Sequence, residues 1–388
     1  MTSIENEVLE RVEPEAAVKL LQKLIRTRTT NPPGHELILA EWVADYLKKI
    51  GLQVELMPFG EKRGNVIARI KGSGKKPGLI FSAHFDTVPE GEIPWTYPPY
   101  GAEIHDNKIF GRGAADMKGG MAAMIMAAAA LAKTPGLKLK GDLIIAFTSG
   151  ETSHLEGVKL LVESGKIKDA GAFCVSEPTG LEVLIAEKGA LWMKAKARGR
   201  TAHSSMPERG ENAIFNMVNF LYRAQRYKPA FHSHHLLGDP TITVGIINGG
   251  VLINVVPDTC TAEIDIRIPP PLKPKELFRE YKKLAGQTVD LDLIDYKLPV
   301  DTDPADPFVK ICLDAAEQIT RKKKVPGGTP YFTDGTIICN EYNLPLVIIG
   351  PAPLWMTHQY DEYVEISDLI KGIKIFSLIA LRYLEASP

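Results

Sequence analysis

The sequence of 388 residues contains little cysteine and no long apolar run. Its cysteines are Cys174, Cys260, Cys312 and Cys339. They form no Cys-x-x-Cys pair, so neither a cysteine metal knuckle nor a redox motif is indicated, and we expect reduced core residues in a cytoplasmic protein. The most apolar run, 121–132, is shorter than the roughly 20 residues that span a bilayer, and it predicts a buried helix.

An excess of charge of either sign is also missing. The 46 basic and 47 acidic residues give a formal net charge of -1, which leaves no electrostatic footprint for nucleic acid or an anionic membrane. The first 21 residues are acidic and helical in pattern, without the basic and apolar segments of a secretion signal. These absences favour a small-molecule partner, no nucleic acid and no membrane.

The length predicts two domains, because typical domains have about 100 to 200 residues. Helical patterns alternate with short apolar runs over 1–180, and the same style returns over 298–388. This alternation predicts one α/β domain, built from both ends of the chain, with helices on both faces of a mixed sheet. Over 181–297 the order becomes βαββαβ, which predicts an inserted, ferredoxin-like α+β domain.

Polar side chains follow several of the predicted strands. His84 and Asp86 lie two residues apart after the apolar run 78–81, so they emerge together at a strand's carboxyl end. A local pair of these two side chains is the alternative. Glu151, Glu177 and His358 lie in loops after other apolar runs. A solvated loop carboxylate is the plain alternative for Glu151.

Asp116 lies between glycine pairs, just before the apolar helix. An aspartate in this position is often only the helix N-cap, but the neighbouring glycines allow a close approach that a cap does not need. Because these three carboxylates and two imidazoles all lie in loops after predicted strands, we expect them to line one common site at the edge of the sheet. These are typical ligands of Zn²⁺ or a similar divalent ion, with one carboxylate left over as a base.

Several motifs together resemble one known family: the metal-dependent aminoacylase, acetylornithine deacetylase, succinyl-diaminopimelate desuccinylase and glutamate carboxypeptidase group. The resemblance covers nearly the whole chain. The motifs are Ser-Ala-His-Phe-Asp-Thr-Val-Pro at 82–89, Gly-Arg-Gly-Ala-Ala-Asp-Met-Lys-Gly-Gly at 111–120, Ser-Glu-Pro-Thr at 176–179, Gly-Arg-Thr-Ala-His-Ser-Ser-Met-Pro at 199–207, Asn-Val-Val-Pro-Asp at 254–258, Thr-Asp-Gly at 333–335 and His-Gln-Tyr-Asp-Glu at 358–362. The resemblance implies a zinc-peptidase-like catalytic domain, and that 181–297 is a lid and dimerisation domain.

The resemblance also implies roles for single residues. His84 and Glu177 would bind one metal, His358 would help to bind a second, and Asp116 would bridge the two. Glu151 matches the general base that deprotonates the attacking water. Asp86 matches the carboxylate that orients His84, because a ligating imidazole needs its other nitrogen held.

Three residues of the inserted domain receive roles in the same way. His203 matches a histidine that reaches the partner subunit's site and stabilises the oxyanion, which implies a homodimer. Asn254 and Arg267 resemble binders of the substrate carboxylate, a task that suits the planar guanidinium. A surface ion pair of Arg267 with Glu263 or Asp265 is the alternative.

The chain departs from the family at Thr152, where a second consecutive glutamate is usual. A hydroxyl is a poor substitute for a carboxylate ligand, so we expect one tightly held Zn²⁺ and a second ion that is weak or absent. Co²⁺ or Mn²⁺ could replace zinc. His154 or Glu156 could supply the missing ligand from the same loop.

The expected activity is hydrolysis of the amide bond in an N-acyl amino acid of the acetylornithine or succinyl-diaminopimelate type. A metallo-exopeptidase that acts on short peptides is the second reading. The remote alternative is a non-catalytic pseudoenzyme that binds amino acids, although such a protein has no need of Glu151. The catalytic machinery is the same for deacylase and exopeptidase, so specificity depends on the lid and pocket residues.

Overall fold

The computed structural model describes residues 1–387 and divides the chain into two compact units. The first unit contains Met1–Ile185, Thr302–Gly327 and the chain from Thr333 onward. The second contains Ala186–Asp301 and Gly328–Phe332. The insertion predicted at 181–297 overlaps the second unit except for residues 181–185.

The strands are short and numerous. In chain order they are β1 (Gln53–Phe59), β2 (Arg63–Ile70), β3 (Gly78–His84), β4 (Ile104–His105), β5 (Lys108–Phe110), β6 (Leu143–Thr148), β7 (Ala170–Val175), β8 (Leu184–Glu187), β9 (Gly189–Arg198), β10 (Thr241–Gly249), β11 (Thr259–Ile268), β12 (Val289–Lys297), β13 (Val300–Asp301), β14 (Gly327–Thr329), β15 (Leu346–Ile348) and β16 (Tyr363–Glu365).

The helices alternate with these strands. They are α1 (Ser3–Glu10), α2 (Pro14–Arg26), α3 (Leu37–Lys49), α4 (Gly119–Ala132), α5 (Glu156–Glu163), α6 (Ala213–Arg226), α7 (Pro274–Ala285), α8 (Pro307–Thr320), α9 (Gly335–Tyr342) and α10 (Ile366–Tyr383). Short helical turns lie at Ala114–Lys118, Pro207–Arg209 and Leu354–Met356.

A mixed sheet forms the centre of the first unit, in the order β1-β2-β6-β3-β7-β15-β8. Strands β6, β3, β7 and β15 run parallel to one another, whereas β1 and β2 pair antiparallel and β2 pairs antiparallel with β6. Helices flank this sheet, which confirms the predicted α/β class. Because β3, β6 and β7 are parallel, their carboxyl ends lie along one edge of the sheet, and loops from all three can share a site.

Helix α4 is the most apolar element of the chain. Together with the preceding turn it forms a 19-residue stretch, Ala114–Ala132, that is long and apolar enough to cross a membrane. However, 94% of its most apolar window is buried inside the protein. Core helices share this composition, and the burial agrees with the buried helix that the sequence predicts.

The second unit contains an antiparallel sheet in the order β10-β11-β9-β12, with α6 and α7 packed against it. The chain order β9-α6-β10-β11-α7-β12 is the predicted βαββαβ pattern. Helix α6 begins after Asn212, whose side chain accepts hydrogen bonds from the amides of Ile214 and Phe215. Strand β10 lies at the edge of this sheet, and nearly all of its residues are exposed.

Candidate metal centre

His84 lies at the centre of a buried acidic cluster in the first unit. It is the last residue of β3, and its Nε2 atom lies 3.1 Å from Asp116, 3.6 Å from Glu177 and 3.9 Å from Glu151. The potential ligand atoms of His84, Asp116 and Glu177 all lie within 4.8 Å of one another. One imidazole and two carboxylates at this spacing suit a divalent ion such as Zn²⁺.

Asp116 contacts two histidines through different oxygen atoms. Its Oδ1 lies 3.1 Å from His84, and its Oδ2 lies 3.1 Å from Nε2 of His358. The N-cap of α4 is Lys118, whose side chain forms no capping hydrogen bond. Asp116 is therefore not the helix N-cap, which was the alternative interpretation of its position in the sequence. Asp116 therefore lies between two imidazoles, of which His84 is buried and His358 has a side chain that is 53% exposed.

The carboxylate of Asp86 holds the loop that carries Glu151. It accepts hydrogen bonds from the amides of Gly150 (3.0 Å), Glu151 (3.2 Å) and Thr152 (2.9 Å). The imidazole of His84 is held differently, because its Nδ1 lies 2.9 Å from the main-chain oxygen of Asp86 and 3.7 Å from the carboxylate. Asp86 therefore orients the histidine mainly through its backbone and orients the Glu151 loop through its side chain.

The side chain of Thr152 forms hydrogen bonds with Asp86 and Asn31. Its hydroxyl donates to Asp86 at 2.6 Å, and the same hydroxyl accepts from the amide of Asn31 at 3.1 Å. Glu156 forms an ion pair with Arg63, and His154 is exposed. Among the histidine, cysteine, aspartate and glutamate side chains of residues 1–387, the cluster with metal-ligand spacing contains neither His154 nor Glu156.

Burial and mutual repulsion shape the charges of the cluster. Burial raises the pKa of Glu151 to about 8, with Asp334 adding to the rise and His84 opposing it. Burial likewise raises the pKa of Glu177 well above its usual range, and the charge of Asp116 adds to this rise. Burial opposes the charged form of His84, but Asp116 and the other carboxylates raise its pKa well above the usual value. A divalent cation would relieve the repulsion among these carboxylates, so the residues present fit such an ion.

Two buried carboxylates of the site have no role in the sequence-based prediction. Glu362 accepts hydrogen bonds from the amides of Ala115 (2.7 Å) and Asp116 (2.9 Å), and it pairs with Arg112 at 2.5 Å. It therefore fixes the backbone that presents Asp116. The motifs at 111–120 and 358–362 contain both partners, but their pairing across about 250 residues is visible only in the fold.

Asp334 is the second of these carboxylates. It accepts a hydrogen bond from the hydroxyl of Thr148 at 2.5 Å, and its side chain is buried. Burial raises the pKa of Asp334 to about 6, whereas the hydrogen bond from Thr148 lowers it. The Thr-Asp-Gly motif at 333–335 contained this residue, but its neighbours in sequence give no sign of its contact with the end of β6.

The remaining predicted site residues lie in the second unit. His203 is exposed and its Nδ1 lies 2.8 Å from the hydroxyl of Ser205, while its backbone pairs with Val255. Asn254 is exposed and its carbonyl accepts from the Ser204 amide. Arg267 forms an ion pair with Asp265 at 3.0 Å, which is the pairing that the sequence left open as an alternative. This pair is partly exposed, and three donors of the guanidinium lie outside it.

Comparison with known proteins identifies the family. Residues 80–382 match the family described as Peptidase family M20/M25/M40. The chain belongs to this family. A probable succinyl-diaminopimelate desuccinylase from Staphylococcus aureus (strain MRSA252) is 30% identical over 404 residues, covering 95% of this chain and 97% of that protein. An acetylornithine deacetylase from Photorhabdus laumondii subsp. laumondii is 29% identical over 359 residues, covering 87% and 88%.

The fold is that of the family as well. The crystal structure of an M20 family metallo-carboxypeptidase from Sulfolobus solfataricus is similar to this chain with a TM-score of 0.81, at 20% identity, over 95% of this chain and 99% of that one. Family membership makes the chain a metal-dependent hydrolase, which confirms the predicted enzyme class and the resemblance on which it rested.

Proposed function

We propose that this M20 family member hydrolyses the amide bond of N-acyl amino acids of the acetylornithine or succinyl-diaminopimelate type. The proposal rests on Glu151, a buried carboxylate 3.9 Å from His84 that lies outside the His84, Asp116 and Glu177 set. A protein that only binds amino acids has no use for such a base. The names of the desuccinylase and deacetylase relatives support the substrate class.

The residues of the cluster fit the metal that the family implies. His84, Asp116 and Glu177 would hold one Zn²⁺, with Co²⁺ or Mn²⁺ as alternatives, and His358 would share Asp116 with a second ion. A divalent ion at this place supplies a Lewis acid that polarises the amide carbonyl and makes water more acidic. The hydroxyl of Thr152 donates a hydrogen bond to Asp86, and a neutral hydroxyl is a poor substitute for a carboxylate ligand. We therefore propose that the second ion is held weakly or is absent.

We propose that Glu151 carries out the proton transfers of the reaction. Its carboxylate takes a proton from the attacking water and returns it to the leaving nitrogen as the carbon–nitrogen bond breaks. The hydrogen bonds from the 150–152 amides to Asp86 keep this carboxylate in place. His203 of a second protomer stabilises the developing oxyanion, and Arg267 and Asn254 bind the substrate carboxylate.

A panel of substrates tests the proposed activity. We expect the zinc-loaded protein to release the amino acid from acetyl- or succinyl-amino acids at least tenfold faster than from dipeptides, because a deacylase pocket is built around the acyl group. The measurement is amine release from acetyl-, succinyl- and peptidyl-amino acids under identical conditions.

Faster cleavage of peptides would instead favour the metallo-exopeptidase, to which the carboxypeptidase neighbour gives some weight. Tight binding of panel members without cleavage, in protein that retains its metal, would favour the pseudoenzyme. The panel therefore separates the three candidate functions.

We propose a homodimer formed through the second unit. Edge strand β10 has no partner on its outer side within the described chain, and Val244, Ile246 and Ile247 on it are exposed. Helix α6 adds an exposed apolar stripe of Phe215, Val218 and Tyr222, spaced three and four residues apart. An unpaired strand beside an apolar stripe suits a second copy of the same surface, related by a twofold axis.

Mixing two inactive variants tests the shared site. We expect equimolar His203→Ala and Glu151→Gln subunits to recover about a quarter of wild-type activity, because half of the dimers are mixed and each has one complete site. Activity is measured after subunit exchange, which is followed separately, and each variant incubated alone is the control. Exchange without recovery, or a fully active monomer in sedimentation, contradicts the shared site.

We also propose a cytoplasmic location. The four cysteines are free and buried in the structure. Burial raises the pKa of the Cys174 and Cys312 thiols, so both stay protonated and unreactive. Reduced, inert cysteines of this kind suit a reducing compartment.

A further inference from the structure

Two cation–carboxylate pairs lie on neighbouring strands of the second unit. In the sheet register, Ala190 on β9 lies opposite Arg267 on one side and Lys297 on the other. Arg267 pairs with Asp265, and Lys297 donates a hydrogen bond to Asp295. Each cation and its carboxylate are two residues apart, so the pair projects from one face of its strand.

Trp192 occupies the row between the two carboxylates. It lies opposite both Asp265 and Asp295 in the register, two residues beyond Ala190 on the same strand. The ammonium of Lys297 lies 4.7 Å from the centre of the Trp192 ring system, within the range of a cation–π interaction. Lys297 is almost fully buried there, with 1% of its side chain exposed.

Phe332 contacts both cations. The guanidinium carbon of Arg267 lies 5.1 Å from the ring centre of Phe332, and the ammonium of Lys297 lies 5.6 Å from the same ring centre. The ring also meets Trp192 edge-on, with centroids 6.2 Å apart. Phe332 belongs to the segment Gly328–Phe332, which is the only part of the second unit that lies outside Ala186–Asp301. A distant piece of chain therefore adds the aromatic ring to the sheet.

These contacts fix the guanidinium of Arg267 in two ways. Asp265 accepts from the Nε and Nη2 donors at 3.1 Å and 3.0 Å, and the guanidinium carbon lies over the Phe332 ring. A guanidinium has five N–H donors, so the remaining three stay available for a planar partner. A carboxylate that accepts two parallel hydrogen bonds is such a partner, and its binding depends on the orientation of the guanidinium plane.

We propose that Phe332 is a positioning residue that orients Arg267 for the carboxylate of the substrate. The inference rests on the proposed function, in which Arg267 binds that carboxylate. Lys297 and Trp192 support Phe332 from the sheet. The arrangement makes affinity for carboxylate-bearing substrates depend on an aromatic ring at 332, while the hydrolytic step depends on the cluster around His84.

The test compares Phe332→Leu with the wild type on two substrates: the acyl amino acid cleaved fastest in the panel and its α-carboxamide. We expect KM for the carboxylate to rise by about 2- to 30-fold, the range between loss of an exposed and loss of a desolvated cation–π contact, because Arg267 is partly exposed. We expect kcat to change less than about twofold, because the proton-transfer machinery is untouched. The KM of the carboxamide should not change, since it forms no ion pair with Arg267.

Matched variants complete the design. Phe332→Tyr keeps an aromatic face and should restore the wild-type KM. Phe278→Leu is the control, because Lys282 lies 5.5 Å from that ring on α7 in a comparable cation–aromatic pair without a role in the proposal. If Phe332→Leu does not fold, Phe332→Met replaces it with a longer apolar side chain in the same experiment.

Arg267→Ala distinguishes the positioning role of Phe332 from the carboxylate-binding role of Arg267. If it raises KM for the carboxylate and Phe332→Leu does not, the positioning role is overturned while the proposed function stands. If Arg267→Ala leaves KM unchanged, the carboxylate-binding role assigned to Arg267 is itself wrong. Equal losses of kcat on both substrates in Phe332→Leu would assign the ring a structural role and also overturn the inference.

Discussion

Replacing Glu151 with glutamine is expected to lower kcat by about 10²- to 10⁴-fold while the protein keeps its metal. Glutamine preserves the size and shape of the side chain, but its amide cannot take a proton from water at neutral pH. The ligand atoms of His84, Asp116 and Glu177 are unchanged by this substitution. Steady-state kinetics and metal analysis on the same preparation provide the two measurements.

Glu163→Gln is the matched control, because Glu163 is an exposed residue near the end of α5. It should leave both kcat and metal content unchanged. Wild-type turnover in Glu151→Gln would remove the general-base role from this residue. A loss of metal together with activity would instead indicate that Glu151 is a ligand.

Removing the metal by chelation and dialysis is expected to abolish activity, and about one equivalent of Zn²⁺ per chain should restore it. The expectation rests on the spacing of the candidate ligands. His84, Asp116 and Glu177 form a group of three with ligand atoms within 4.8 Å of one another, whereas His358 lies 3.1 Å from the other oxygen of Asp116 and belongs to no such group within residues 1–387. Metal analysis after dialysis and titration of activity with Zn²⁺ measure the stoichiometry. Unfolding temperature should rise with the same equivalent, because the ion binds the folded chain.

Thr152→Glu tests the physical cause of this asymmetry. A carboxylate at 152 should raise the amount of metal retained per chain toward two equivalents. The substitution also removes the hydrogen bond from the Thr152 hydroxyl to Asp86. Thr288→Glu, the same change at an exposed position, should retain one equivalent. Two equivalents in the dialysed wild type would contradict the weak second position and indicate that a residue such as His154 moves to complete it.

The sequence predicted much of the cluster because its members follow strands. His84 is the last residue of β3, Glu151 and Glu177 follow β6 and β7, and the carboxyl ends of parallel strands meet at one edge of the sheet whatever the detailed packing. The βαββαβ order was predictable for a similar reason, since hydrophobic periodicity changes at each element. Roles assigned to single residues stay predictions until the variants are measured.

Other features depend on contacts between distant parts of the chain. Glu362 binds the amides of Ala115 and Asp116 across about 250 residues, and no local pattern connects these positions. The preference of the Asp86 carboxylate for backbone amides requires the turn at Gly150, which has a positive φ of 77°. Phe332 meets Arg267 only because residues 328–332 join the second unit, which hydrophobic periodicity does not reveal.

The hydrogen bonds from three consecutive amides to Asp86 determine when the loop that carries Glu151 loses its conformational entropy. A surface loop ordinarily samples many conformations, and a catalytic group on it would lose that freedom at each encounter with substrate. Here Gly150, Glu151 and Thr152 are anchored to a fully buried carboxylate before any substrate arrives. The conformational cost of aiming the base is therefore incurred once, when the chain folds, and it does not recur in the activation barrier of each turnover.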